Sequence, residues 1–537
     1  WRRLAEGHDA VTEVPAWRWG GNRYYEAGTP RPGRVNCKWL GALDEVECFD
    51  PLFFSISPAE AELMDPQQRL FVQEAYRAFE DAGCNPRALG DSRCGVYLGI
   101  MSNDYATLLH DSGQPSDSTG NSAAIAASRI SYLLDLKGPA ISIDTACSSS
   151  LVATHLACQA LRNEEIELAL VGGVTLYLTP GPYLGMCAAG MLSSDGRCKT
   201  MDDGANGFVP GEGVGALVLK RLSDAEAAGD PIHGVILGSG INQDGKTNGI
   251  TAPSAVRQAE LQREVYARHG IDPSTIGYVE MHGTGTKLGD PIELEALRSV
   301  YEAAGVGRQR CVLGSVKSNI GHTSAAAGVA GVHKVLLGLR HGELVPSLHF
   351  ATPNEHFDFA TSPFRVGTAR EAWARIDGAP RRAAVSSFGY SGTNAHLVIE
   401  EYVDARRPAT HGQAPRGASS LFVLSARTEE RLRVHAARML DWMDAHETLD
   451  VDAFTHTLQA GREAMEHRIA CAFESVSALR ATLRAFVAGE RHVEGLHQGE
   501  VRRHRETVAA FAADDDLHGA VAAWIAKGKY DTLLDLW

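Results

Sequence analysis

The sequence has no apolar run long enough to cross a bilayer and no apolar segment of secretory type near its start, which argues against a helical membrane span and a signal peptide. It also lacks a basic excess. The 51 Lys and Arg stand against 66 Asp and Glu, a formal charge of −15, whereas a nucleic-acid binder carries a basic stripe. Ten cysteines are spread over 537 residues and none forms C-x-x-C, so zinc, redox and disulfide-framework readings are all weak. A reducing cytoplasm is the expected compartment. Hydrophobic residues at 44% and charged residues at 22% are enough for sizeable cores. The chain opens at Trp1 without Met, as a piece cut from something larger would.

One motif is present and misleading. "GINQDGKT" (Gly240–Thr247) fits the phosphate-loop pattern G-x-x-x-x-G-K-[ST] at every specified position. That loop works only when a helix starts at its Lys-Thr and turns backbone N–H groups on a phosphate. Asn248, Gly249 and Pro253 forbid a helix there, and Asp244 would aim a carboxylate at the phosphate. No nucleotide site is expected.

From Trp1 to about Val403, short Val/Ile/Leu runs alternate with glycine turns and amphipathic segments, the texture of an α/β domain with buried strands. Asp404–Ala418 ("DARRPATHGQAPRGA") has no periodicity and reads as a linker. Residues 419–513 then alternate strand and helix, as a small α/β module does: a strand at Leu421–Leu424, helices, and a strand at Arg468–Phe473. The tail 514–537 carries Trp524, Tyr530, Leu533, Leu534 and Trp537, an apolar density that predicts docking on a neighbouring surface.

Four segments carry chemistry, each at a strand end. In "GPAISIDTACSSSLVATHLACQAL", Ala140–Ile143 alternates like a strand, and apolar residues recur at helical spacing from Ser148. Cys147 therefore sits where strand turns to helix, and the positive end of the macrodipole predicts a lowered thiol pKa; the alternative is a small core cysteine. In "IGYVEMHGTGTKLGDPIELEAL", a strand at Ile276–Met281 delivers His282, with Thr284 and Thr286 in the following turn. Asp290, Pro291 and Glu293 read there as N-cap, N1 and N3 of the next helix. "CVLGSVKSNIGHTSAAAGVAGVHKVLL" gives a strand at Cys311–Val316, then Lys317, Asn319 and His322; taken alone, Lys317 could be a surface lysine and either histidine a core one. In "AAVSSFGYSGTNAHLVIEE", the glycine turn Gly389–Gly392 offers backbone N–H groups near Tyr390 for an oxyanion, while His396 reads as structural.

"DTACSSS", "HGTGT", "KSNIGH" and "SSFGYSGTNAH", in this order and spacing, resemble the β-ketoacyl synthase domains of modular polyketide synthases. "FFSISPAEAELMDPQQR", "GFVPGEGVGALVLK" and "NQDGKTNGITAPS" match as well, which makes the phosphate-loop pattern a coincidence. "LQAGREAMEHRIA" (Leu458–Ala470) resembles the adaptor subdomain that follows such domains. The resemblance implies an α/β thiolase fold, layered αβαβα with duplicated halves, over residues 1–403. It implies Cys147 as nucleophile, His282 and His322 for decarboxylation and enolate stabilisation, and Lys317 positioning His322. It further implies an oxyanion hole from the N–H groups of Cys147 and Tyr390, and Thr284 and Thr286 on the phosphopantetheine arm of an acyl carrier protein. No metal and no bound cofactor are implied. A homodimer, and work beside the other domains of the same synthase, are.

Two departures matter. An apolar strand and glycine turn usually precede the segment resembling Trp1–Trp19, so a first strand is expected to be missing. Many relatives carry Glu or Gln after "GHT" where this chain has Ser324, so a carboxylate partner for Lys317 is not expected there. The chain contains no G-H-S-x-G motif, which resembles the trans-acyltransferase class, where a separate enzyme loads the extender. The alternative within the family is a non-elongating transacylase, but such variants lose a decarboxylation histidine and this chain has both.

Overall fold

A computed structural model describes residues 1–19, 23–29, 31–115, 117–404, 420–446, 448–501 and 515–537. From residue 405 on, the expected linker lies outside them. The chain divides into two compact units, Trp1–Ala78 with Gly90–Asp404, and Phe79–Leu89 with Ala405–Trp537.

In the first unit, β1 (Cys94–Gly99), β2 (Ala140–Ile143), β3 (Leu168–Thr175) and β4 (Gly213–Lys220) form a sheet in the order β2-β1-β3-β4. β1 runs parallel to β2 and β3, and β4 is antiparallel to β3. A second sheet uses β5 (Val235–Gln243), β6 (Tyr278–Glu280), β7 (Cys311–Gly314), β8 (Phe364–Val366), β9 (Arg382–Phe388) and β10 (Thr393–Glu400), in the order β8-β7-β6-β9-β10-β5. Its run β7-β6-β9-β10 repeats β2-β1-β3-β4 in order and direction, so the two halves are duplicates. β5 pairs with the outer side of β10, whereas among the described residues no strand lies beside β4.

Helices α1 (Ala123–Leu134), α2 (Ser149–Arg162), α3 (Ala255–His269), α4 (Gly289–Ala303) and α5 (Ala327–His341) complete the layers. α2 and α5 lie between the sheets. One buried cluster joins their Leu151, Ala157, Val329 and Val332 to Val171 of the first sheet and Val385 and Leu397 of the second. α3 and α4 cover the far face of the second sheet, with Leu261 and Leu297 against Val279 and Leu313. α1 packs along β1 and β2. Small residues permit the close approach of the middle layer: a Cβ on Gly173 would come within 2.9 Å of Ala326 Cα, and one on Gly328 within 2.5 Å of Leu151 Cγ. The phosphate-loop look-alike runs off β5 into a turn, and the next helix starts only at Ala255, capped by Ser254. Asn394 donates to Asp244 at 2.7 Å, tying this turn to β10.

The second unit is a three-stranded antiparallel sheet of β11 (Ser420–Ala426), β12 (His467–Phe473) and β13 (Leu496–Glu500), with β12 central. Its period of two is visible in the core. Phe422, Leu424, Ile469 and Cys471 face α6 (Glu429–Ala445) and α8 (Val476–Val487), while Val423 and Ala470 face the other way, with Leu458 of α7 (Val451–Ala460) packed beside them. The unit also takes in Phe79–Leu89, which the sequence reading left in the first: Arg462 donates to the Glu80 carbonyl at 2.9 Å, and Arg87 lies 3.3 Å from Glu463.

In the tail, α9 (Tyr530–Leu536) sets Leu534 against Val423 and Ala470 with Trp537 packed beside it. The fully buried anchor is thus Leu534, and Trp524, Tyr530 and Trp537 are only half-buried. The Arg468 guanidinium covers the Trp537 ring at 4.8 Å. Leu534→Ala should therefore destabilise the second unit by about 2–5 kcal/mol, read as a lower urea midpoint. An unchanged midpoint would show that α9 contributes no packing.

Candidate active site

Each chemical residue sits on a turn that tertiary contacts over-determine. After β2, Asp144 accepts from the Ala146 N–H at 2.9 Å and Ala146 takes a left-handed φ of 57°, which swings Cys147 into a short 3₁₀ turn, Ala146–Ser148, ahead of α2. The serines that follow lock this elbow. Ser149 Oγ accepts from Thr145 N–H at 3.0 Å, and Ser150 Oγ accepts from Val329 N–H at 3.1 Å, joining α2 to α5.

The glycine turn between β9 and β10 lies on the same elbow. A Cβ on Gly389 would sit 2.3 Å from the Thr145 carbonyl oxygen, so only glycine lets the two backbones meet. The contact brings the Tyr390 N–H to the Cys147 sulfur, alongside the N–H of Cys147 itself.

His282 follows β6. Its N–H and that of Gly283 both donate to Glu293 at 2.8 Å, and Gly285 N–H donates to Asp290 at 3.1 Å. The expected cap roles of these acids are corrected by the structure. α4 begins at Gly289, before Asp290, and its first turn is bonded by Thr286 Oγ1, which accepts from Gly289 N–H at 3.1 Å. Asp290 and Glu293 fold back as buried acceptors for the histidine loop. Thr284 and Thr286 pair through their hydroxyls at 3.1 Å.

His322 is buried, its N–H donating to the Val209 carbonyl at 2.7 Å. Its Nδ1 accepts from Ser324 N–H at 3.2 Å, which leaves the ring proton on Nε2. The His282 and His322 rings meet edge to face with centroids 5.4 Å apart, walled by Phe388 on His282 and Phe208 on His322. Burial first, then the Lys317 charge, holds both imidazoles well below the usual histidine range, so both are neutral at physiological pH. His396, by contrast, is tied to Ser386 and Tyr266 in the core, as its structural reading requires.

Lys317 is buried on the turn Lys317–Ile320. Burial lowers its pKa, and the charges opposing that are Glu280 and then Glu293. The Ser324 hydroxyl pairs with the Tyr177 hydroxyl instead, at 2.6 Å. The sequence reading picked out neither Glu280 nor the Tyr177–Ser324 pair, although a carboxylate inside the apolar run of "GYVEM" was a readable signal.

The expected thiolate is also corrected. Burial pushes the Cys147 thiol up to about 11, while Lys317 and the N–H groups of Tyr390 and Cys147 pull the other way. Cys147 precedes the first residue of α2, and desolvation outweighs the helix dipole there.

A cysteine under two converging N–H groups, faced by two neutral imidazoles at the strand ends of a duplicated αβαβα fold, is the equipment of an acyl-transferring condensing enzyme. The chain belongs to the β-ketoacyl synthase family: the N-terminal domain of that family matches residues 1–225 and its C-terminal domain residues 233–351, and the RhiE-like KS-MAT linker domain matches residues 423–490. It is 56% identical over its full length to polyketide synthase PksL of Bacillus subtilis, of which it spans 12%. It is 43% identical, again over 100% of its length, to polyketide synthase ThaG of Burkholderia thailandensis, spanning 10% of that protein. Among solved structures, the ketosynthase from module 6 of the Bacillus subtilis bacillaene synthase matches with TM-score 0.91 and 55% identity, over 100% of this chain and 90% of that one. An oxazolomycin ketosynthase domain of Streptomyces albus matches with TM-score 0.86 and 40% identity, over 93% and 86%.

Two outcomes follow from the geometry. Alkylation of Cys147 by iodoacetamide should rise about tenfold per pH unit between about pH 7 and 9 with no plateau, followed by peptide mass; a plateau in that range would show a stabilised thiolate. Gly389→Ala should slow acylation of Cys147 by about 10²–10³, because the Tyr390 N–H is displaced from the sulfur; a wild-type rate would remove that N–H from the site.

Proposed function

We propose that this chain is the elongating ketosynthase domain of a polyketide assembly line. Cys147 sulfur attacks the thioester carbonyl of an acyl chain on a carrier protein. A carbon–sulfur bond to Cys147 forms, the bond to the phosphopantetheine sulfur breaks, and the Cys147 proton passes to the departing thiol. The N–H groups of Cys147 and Tyr390 receive the oxyanion, which lets a neutral thiol react without a standing thiolate. In the second half-reaction, a malonyl-type extender on its own carrier loses carbon dioxide, and the electron pair moves onto its thioester oxygen. His282 and His322 donate hydrogen bonds to that enolate. Its carbon attacks the Cys147 thioester, a carbon–carbon bond forms, and the sulfur leaves and takes a proton from water.

The observation that carries this reading is the pair of neutral imidazoles, one with its Nε2 proton fixed by Ser324 N–H. Acyl transfer alone uses neither. Thr284 and Thr286, beside His282 in sequence, take the phosphopantetheine arm, and Lys317 holds His322. Residues 1–403 are the ketosynthase, 404–418 the linker, 419–513 the adaptor and 514–537 the docked tail. A separate acyltransferase that loads the extender, as in trans-acyltransferase systems, is part of the same reading. A homodimer is supported by β2, an edge strand with Ile141 exposed. No described helix is long and apolar enough to cross a membrane, which fits a place in the cytoplasm.

Protein acylated at Cys147 and given malonyl carrier protein should release carbon dioxide and yield a β-ketoacyl thioester, seen by intact mass. His322→Ala should still be acylated and should lose about 10²–10³ in condensation rate. Acylation without condensation across a range of chain lengths in the unaltered protein would replace this reading with that of a transacylase.

A further inference from the structure

A buried ion pair lies two residues before His282 and plays no part in the steps above. Lys334 Nζ on α5 sits 2.9 Å from Glu280 Oε2 at the end of β6, with side chains 3% and 2% exposed. Pairs buried this deeply cost several kcal/mol per ion to desolvate and are weak devices for stability alone. Glu280 is also fully engaged. Tyr278 donates its hydroxyl to Oε2 at 2.6 Å, and Val316 N–H donates to Oε1 at 2.6 Å. α5 makes room for it at Gly331, where a Cβ would come within 3.1 Å of Glu280 Cγ.

Val316 is the residue before Lys317, so Glu280 holds the backbone of the turn that presents that lysine. The groups facing the Lys317 ammonium are Glu280 from β6, Glu293 from α4, the thiols of Cys147 and Cys198, and the imidazoles of His282 and His322. Glu293 spends both oxygens on the N–H groups of His282 and Gly283. Ser324 is bonded to Tyr177. Of the two carboxylates whose charge reaches the lysine, Glu280 has the larger effect and Glu293 the smaller.

We propose that Glu280 is a positioning residue for decarboxylation: held by Lys334 and Tyr278, it fixes the Val316–Lys317 turn and with it the place of Lys317 beside the two imidazoles and Cys147. The inference rests on the elongating reading for its effect on condensation. Its effect on Cys147 does not need that reading.

The test uses the charge-balanced double variant Glu280→Gln with Lys334→Met, which removes the pair without orphaning either partner, and Tyr278→Phe, which removes one hydroxyl from an otherwise unchanged core. Because the double variant deletes one charge of each sign, its direct effects on the thiol largely cancel. What remains is the displacement of Lys317, whose charge favours the Cys147 thiolate. Cys147 alkylation at a fixed pH between about 7 and 8 should therefore slow by about threefold or more in the double variant, and by less in Tyr278→Phe. Carbon dioxide release should fall about tenfold or more while acylation at saturating thioester changes little, and the basic limb of its pH profile should move to lower pH. An alkylation rate at that pH that stays or rises in the variant that folds overturns the inference, as does a proportional loss of acylation and decarboxylation, which marks a structural pair. If the unaltered protein releases no carbon dioxide, the elongating reading fails and the alkylation rates still decide the role of Glu280.

Discussion

The site exists because two backbones touch where a side chain would forbid it. The turn after β9, in the second half of the duplicated fold, lies on the elbow after β2, in the first half, with Gly389 against the Thr145 carbonyl. The nucleophile comes from one half, and one of the two N–H groups at its sulfur comes from the other. Both histidine turns follow β6 and β7, the second-half counterparts of β1 and β2. Any relative movement of the halves would separate the Cys147 thiol from the Tyr390 N–H and from the two imidazoles. The middle layer resists such movement through glycine and alanine contacts between α2 and α5, and through the Ser150–Val329 hydrogen bond.

That close packing sets the electrostatics. Excluding water pushes the thiol up and both imidazoles down, so the resting site holds a neutral nucleophile beside neutral donors. A thiolate waiting in such a place would cost the desolvation energy continuously. In the proposed mechanism, two fixed N–H groups and two imidazole N–H groups instead meet charge only as it develops, which is where preorganised dipoles lower a barrier most. Lys317 is the exception, a lysine whose burial lowers its pKa while the charges of Glu280 and Glu293 oppose that.

Much of this was legible in the sequence. Strand-then-turn texture placed Cys147, His282, His322 and Gly389–Gly392 at strand ends, and Ala140–Ile143 coincides with β2. The misses share one cause, which is that local patterns do not know their tertiary partners. Asp290-Pro-x-Glu293 has helix-cap spacing, yet the nearest unsatisfied N–H groups were those of the preceding loop, and the acids turned to them. Cys147 sits near a helix N-terminus, but its surroundings outweigh the dipole. Glu280 looked like one polar residue in an apolar strand, because the lysine that answers it lies fifty-four residues on, in another layer. The tail's aromatics drew notice by size, while Leu534 faces the sheet.

The same misses reveal how the loops are held. The two turns after β6 and β7 leave the sheet with backbone N–H groups that no strand pairs, and a buried carboxylate from another element takes them. Glu293 serves His282 and Gly283, Asp290 serves Gly285 and Met201, and Glu280 serves Val316. Glu212 does likewise for Leu43 and Tyr177, with Arg18 as its buried counter-ion at 2.8 Å. A neutral amide or hydroxyl could accept such bonds, but a carboxylate accepts with both oxygens and more strongly, and so fixes two loop positions at once. Its charge must then be answered, and Lys334 and Arg18 do that. A rigid frame built in this way satisfies the loops from behind and leaves the imidazole protons and the Tyr390 N–H free for a substrate.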